Sequence, residues 1–137
     1  MNLTPVIAIH LSAALAATVV GPLALWARRG RTQHPRLHRA FGYAWVTLML
    51  VTALSALFIR SWSLPNLHGY TLIHLLIPTV LVALFGAFWY LAHQDIAGHR
   101  RVMRITYVAG CIVAGGFTLL PSRYLGDLVW HQWLALV

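Results

Sequence analysis

PVIAIHLSAALAATVVGPLALWA, residues 5–27, carries no charged side chain and one histidine, His10. A helix of that length spans a hydrocarbon core of about 30 Å. Near its start, Ile9-His10-Leu11 recurs as Ile73-His74-Leu75. Behind each copy come an apolar run, a polar turn and a second histidine followed by arginine, His38-Arg39 and His99-Arg100. The two histidines lie 28 residues apart in the first half and 25 apart in the second. The chain therefore reads as two helical hairpins of one pattern, with an internal two-helix repeat.

Composition supports a membrane setting throughout. Apolar residues make up 60% of the 137 and charged residues 9%, too few to cover a soluble domain. The net charge of +8 comes from ten arginines, no lysine and two carboxylates, Asp95 and Asp127. In a soluble chain this balance would suggest nucleic acid. Here the arginines fall in turns between apolar runs, where membrane topology explains them, and no nucleic-acid partner is expected. The one cysteine, Cys111, excludes an internal disulfide. The first apolar run exceeds a signal-peptide core and lacks a small-residue cleavage pattern, so it is read as a permanent span.

The expected fold is all-α: an integral membrane, antiparallel four-helix bundle forming one domain over residues 1–137. Spans are expected near 5–27, 35–59, 70–92 and 99–121, with residues 122–137 as a short interfacial helix. Pro22 should kink the first span, and Pro78 should loosen the backbone beside His74. Arg28, Arg29, Arg31, Arg36, Arg39, Arg100, Arg101 and Arg104 lie on one side, against Arg60 and Arg123 on the other. This places both polar turns in the cytoplasm and both termini outside a bacterial inner membrane.

The four histidines form two layers. His10 precedes Trp26, and His74 precedes Tyr90, by the same interval of 16 residues, about 24 Å of helix. His38 precedes Arg60, and His99 precedes Pro121, by 22 residues, about 33 Å. In an up-down bundle, spans 1 and 3 are diagonal, as are spans 2 and 4. A parallel repeat then sets His10 opposite His74 near the outer face and His38 opposite His99 at the inner face. Histidines inside lipid are functional candidates. Two imidazoles converging on one axis suit haem iron, or a metal such as copper. The expectation is a haem b protein for electron transfer or redox sensing. Its ligands are His10, His74, His38 and His99, with the outer two as a single ligand pair. Arg36, Arg39, Arg100 and Arg104 would meet propionates or an anionic headgroup. Gly42, Gly110 and Gly115 would leave room for the ring.

Other readings stand beside this one. Copper at the outer pair would make a metal-binding or transport protein. A lipid-binding structural module would need no cofactor. In that reading His38 and His99, in basic turns, are solvated or touch lipid phosphate, and His10 and His74 bond Ser12, Thr71 or a backbone carbonyl. His34, His68, His93 and His131 read as loop residues, with His68 a conceivable third outer ligand. The tryptophans at span ends read as interface anchors. No nucleophile triad, carboxylate pair or phosphate loop is present, so the one enzymatic reading is a transmembrane oxidoreductase. Its donor and acceptor are open, a quinol or small reductant being candidates.

The full length resembles a family of small bacterial four-span membrane proteins of unknown function. The resembling residues are the histidine of Ile9-His10-Leu11 with Gly21-Pro22, His38-Arg39-Ala40-Phe41-Gly42-Tyr43, His74-Leu75-Leu76, and His99-Arg100-Arg101-Val102-Met103-Arg104 ahead of Leu120-Pro121. Val102 stands where that family commonly has tryptophan. More distantly, two diagonal histidine pairs are similar to the transmembrane cytochromes b that pass electrons from ascorbate. That likeness is one of architecture and implies bis-histidine haem.

Overall fold

A computed structural model describes residues 4–28, 33–60, 67–120 and 124–133, with side chains in 124–133 described only in part. Among the described residues the protein is all-helical apart from one isolated bridge. Helix α1 is Pro5–Trp26, α2 is Pro35–Ala56, and α3 runs over Leu72–Ala92, opening with the 3-10 turn Leu72–Leu75. Helix α4 comprises Ile96–Tyr107, a π turn at Val108–Val113, and Ala114–Phe117. Helix α5, Tyr124–Asp127 continuing as Leu128–Trp133, folds back so that Trp130 donates its indole N–H to Leu119 O at 2.7 Å.

Helices α1, α2 and α3 are long and apolar enough to cross a membrane. Each has 21 or 22 residues, about 32 Å of helix. Large apolar side chains face outward on them: Val19, Val82 and Phe85 are 67%, 70% and 70% exposed. In water that arrangement would aggregate, and in lipid it is the ordinary outer surface. The first polar turns of α4 carry Arg100, Arg101 and Arg104, so its apolar stretch is shorter.

The boundaries differ from the expected ones for identifiable reasons. Helix α2 ends at Ala56 rather than at Ile59, because Leu57 and Phe58 form 3-10-type turns. Helix α4 begins three residues before His99, because the Asp95 carboxylate caps it by accepting from Gly98 N–H at 2.8 Å. It ends at Phe117 rather than at Pro121. Helix α1 continues through Pro22. Helix α3 opens with a 3-10 turn that includes His74, and the α-helical part begins two residues before Pro78.

Helix α1 packs along α2, and α3 along α4. Helix α2 also meets α3, and α1 meets the π turn of α4. Helix α2 meets α4 through side chains, Trp45 with Tyr107 and Met49 with Cys111. Trp45, Met49 and Ala53 of α2, Ala17 of α1, Ile77, Val80 and Leu84 of α3, and Cys111 of α4 form the buried centre.

Candidate functional site: four histidine clasps

Each of the four histidines ties its helix to another chain segment through a backbone carbonyl. His10 on α1 places Nδ1 at 3.0 Å from Thr52 O and 3.1 Å from Ser55 Oγ, both on α2. His38 on α2 returns the bond, with Nδ1 at 2.9 Å from Ala24 O on α1. The same number of residues separates His10 from Ala24 as separates His38 from Thr52. The antiparallel register is therefore held from one clasp to the other.

Ala24 O is available because α1 is ending. Ala27 N–H bonds Leu23 O, and Arg28 N–H bonds Leu25 O at 3.4 Å, passing over Ala24. A helix end leaves such carbonyls without partners, and a neighbouring imidazole N–H satisfies one. In the second hairpin, His99 on α4 places Nδ1 at 2.9 Å from Ala87 O on α3. His38 and His99 thus occupy matching places, at the fourth residue of α2 and of α4, and hold the preceding helix in the same way.

With the Nδ1 hydrogen donated to a carbonyl, imidazole keeps an unprotonated Nε2 as an acceptor or metal ligand. His10, His38 and His99 are all in that state and all half-buried. His74 differs. Its Nε2 donates to Ile59 O at 2.8 Å, and its Nδ1 accepts from Thr71 N–H at 3.0 Å. Both ring nitrogens are engaged, and Tyr70 stands edge-on at 5.0 Å. The hydrogen bonds direct His10 and His74 to the C-terminal end of α2 and the residues just after it rather than toward each other. Ligation by His74 would require its bond to Ile59 to open.

Each of His38, His99 and His10 thus keeps an Nε2 able to ligate haem iron, and His74 as it stands does not. Space for a ring is uneven. A Cβ on Gly42 or Gly115 would meet nothing within 4 Å, whereas one on Gly110 would meet Met49 Cε at 3.0 Å. Gly110 is thus a packing glycine rather than an opening. Arg36, Arg39, Arg100, Arg101 and Arg104 are all exposed. Among the described residues no group of three histidine, cysteine, aspartate or glutamate side chains converges.

His68 takes no part in this constellation. It is exposed, and with Gly69 it forms the tip of a tight turn closed by the Leu67–Tyr70 bridge, both with positive φ (54° and 86°). That pairing of backbone angles is the hairpin turn in which glycine and a few polar residues are tolerated. His34 and His93 lie at helix ends and are exposed, as expected of turn residues. His131 lies in α5, where its side chain is outside the described residues.

A further interhelical bond escaped the sequence reading. Tyr107 on α4 donates its hydroxyl to Thr18 O on α1 at 3.1 Å. Thr18 is four residues before Pro22, which has no N–H to give that carbonyl. Gly21 makes room: a Cβ there would sit 2.5 Å from the Tyr107 ring and 3.0 Å from Trp45 Nε1. The Gly21-Pro22 pair therefore creates both the acceptor and the space for Tyr107. The legible signal was the proline itself, which names the carbonyl it leaves free.

A family model described as predicted membrane protein (DUF2306) matches residues 7–119. The chain belongs to this family. The match begins just before His10 and takes in all four clasping histidines, Gly21-Pro22 and Tyr107. It agrees with the family resemblance read from the histidine boxes, and with a membrane protein built on transmembrane helices. No curated protein and no solved structure matches.

Proposed function

We propose that this DUF2306 chain is a haem b-binding membrane protein that transfers electrons or senses redox state, with His38 and His99 as the principal axial ligands. One observation carries the reading: in both hairpins the fourth residue of the second helix is a histidine whose Nδ1 is fixed on a carbonyl, leaving Nε2 over. A histidine serving only as a clasp needs no such repetition, whereas a two-sided ligand set does. The haem would supply a reversible one-electron couple. The chain's own residues fix each imidazole's tautomer and orientation through the carbonyl bonds.

In this reading the four helices form an antiparallel bundle with a two-helix repeat, in a bacterial inner membrane. The arginine-rich turns face the cytoplasm, and both termini face outside. His10 is a third ligand-ready histidine, and an outer site with His74 becomes available on opening of the Ile59 bond. Protein purified in detergent should show a Soret band, b-type bands on reduction, and iron by elemental analysis. A folded preparation without colour or iron overturns the reading, and copper at the histidines would replace it with a copper-binding protein.

A further inference from the structure

We infer that the inner ends of α2 and α4 form an arginine surface that binds anionic glycerophospholipid, of the phosphatidylglycerol class, through the lipid phosphate. The surface comprises Arg36 and Arg39 on α2 and Arg100, Arg101 and Arg104 on α4, all exposed. Arg36 and Arg39 are three residues apart, as are Arg101 and Arg104, so each pair shares a helix face. The Arg104 side chain is anchored through Nε–H to Arg100 O at 3.3 Å.

The chain cannot neutralise these groups itself. It has two carboxylate side chains against ten arginines, and Asp95 is turned to Gly98 N–H as a helix cap. The same helix turns also expose apolar side chains: Leu37 is 43% exposed and Ile105 58% exposed, each next in sequence to one of these arginines. Helix turns that expose both guanidinium groups and leucine or isoleucine match a headgroup phosphate with its acyl chains, not a free anion in water.

Residue choice adds a separate argument. The topology rule counts lysine and arginine alike, yet all ten cations are arginine. Arginine presents a planar fork that binds phosphate through two parallel hydrogen bonds, where lysine offers a point charge. This inference does not depend on the haem reading, and the arginines are not required as propionate partners.

The test uses the full chain reconstituted in phosphatidylcholine vesicles with a minority of phosphatidylglycerol. Spin-labelled lipids measure the ratio of association for the two headgroups. Wild type should prefer phosphatidylglycerol by about fivefold or more, the effect of roughly one surface cation. A variant with all five positions changed Arg→Lys keeps charge and topology and should retain less than half of that preference. Changing all five Arg→Gln should bring the ratio close to unity, while Arg60→Gln at the other end leaves it unchanged. The inference is overturned by an Arg→Lys variant that keeps half or more of the preference, or by a wild-type ratio near one. Loss of the preference in millimolar inorganic phosphate overturns the lipid as the source and leaves an anion site.

Discussion

The two hairpins are alike at the ends that carry His38 and His99 and unlike at the opposite ends. At the first, His38 reaches Ala24 O and His99 reaches Ala87 O at the same 2.9 Å. At the second, His10 grips its own hairpin partner α2, whereas His74 grips the segment after α2 and leaves α4 alone. A repeat retained at one end and altered at the other indicates where identical chemistry is needed. In the proposed reading the ligand role falls first to His38 and His99, while His74 joins the hairpins through Ile59 O.

The largest effect that could break this comparison concerns the cofactor. His38→Ala and His99→Ala should each remove nearly all of the inner haem, since one axial ligand does not hold what two hold. Iron per folded chain and the Soret absorbance measure this. His10→Ala and His74→Ala should differ from each other. His74→Ala is expected to keep the inner haem while weakening the link between α2 and α3. Equal and complete loss in all four variants would show that the outer end binds as the inner end does, and that the asymmetry of hydrogen bonds is not functional.

A second test contrasts glycines of the two hairpins. Gly21→Val in the first hairpin drives a branched side chain into Tyr107 and Trp45 and should cost about 1–3 kcal/mol. Gly86→Ala in the second meets nothing within 4 Å and should be neutral, or stabilising by up to about 1 kcal/mol through helix propensity. Thermal unfolding in detergent, followed by circular dichroism, reads both.

The membrane fold was legible because composition and run length decide it. The apolar stretches of α1 and α3 need only counting, and the start of α2 at Pro35 follows from proline at the first helical turn. The family was also legible, from the histidine boxes. The partner of each histidine was not. Spacing along one helix fixes depth but leaves rotation about the axis free, and rotation decides whether His10 turns to α2 or across the bundle to His74. Nor did sequence place the start of α4. The run from His93 to Gly98 looked like one polar turn, yet it divides at Asp95. Helix α3 closes with Gln94 at φ 60°, Gln94 N–H on Leu91 O and Asp95 N–H on Tyr90 O. That is the paired-bond ending in which glycine usually takes the left-handed position.

That turn supplies the third test. Asp95 ends α3 and at once caps α4, whereas His34, in the corresponding place before α2, makes no side-chain cap bond. Asp95→Ala should cost about 1 kcal/mol, within the range for lost caps. His34→Ala should change stability by much less. Both follow from the same unfolding measurement, and equal losses would remove the distinction between the two turns.

The smallest predicted effect is the most specific. Tyr107→Phe removes one hydroxyl and one interhelical hydrogen bond, worth about 0.6 kcal/mol for such bonds in membrane proteins. Its acceptor, Thr18 O, lacks a helical partner only because residue 22 is proline. Pro22→Ala restores an N–H at the position that normally bonds that carbonyl. In the Pro22→Ala background the Tyr107 hydroxyl competes for an acceptor already served, so Tyr107→Phe should cost less there than in wild type. The double-mutant cycle isolates this difference, because proline's other effects on α1 cancel between the paired comparisons. Coupling of either sign clearly above the error would show that the two positions act together, and only a smaller Tyr107→Phe cost in the Pro22→Ala background supports the shared carbonyl. Additive losses would mean that Gly21-Pro22 shapes α1 independently of Tyr107, leaving the glycine's clearance for the ring as the sole link between them.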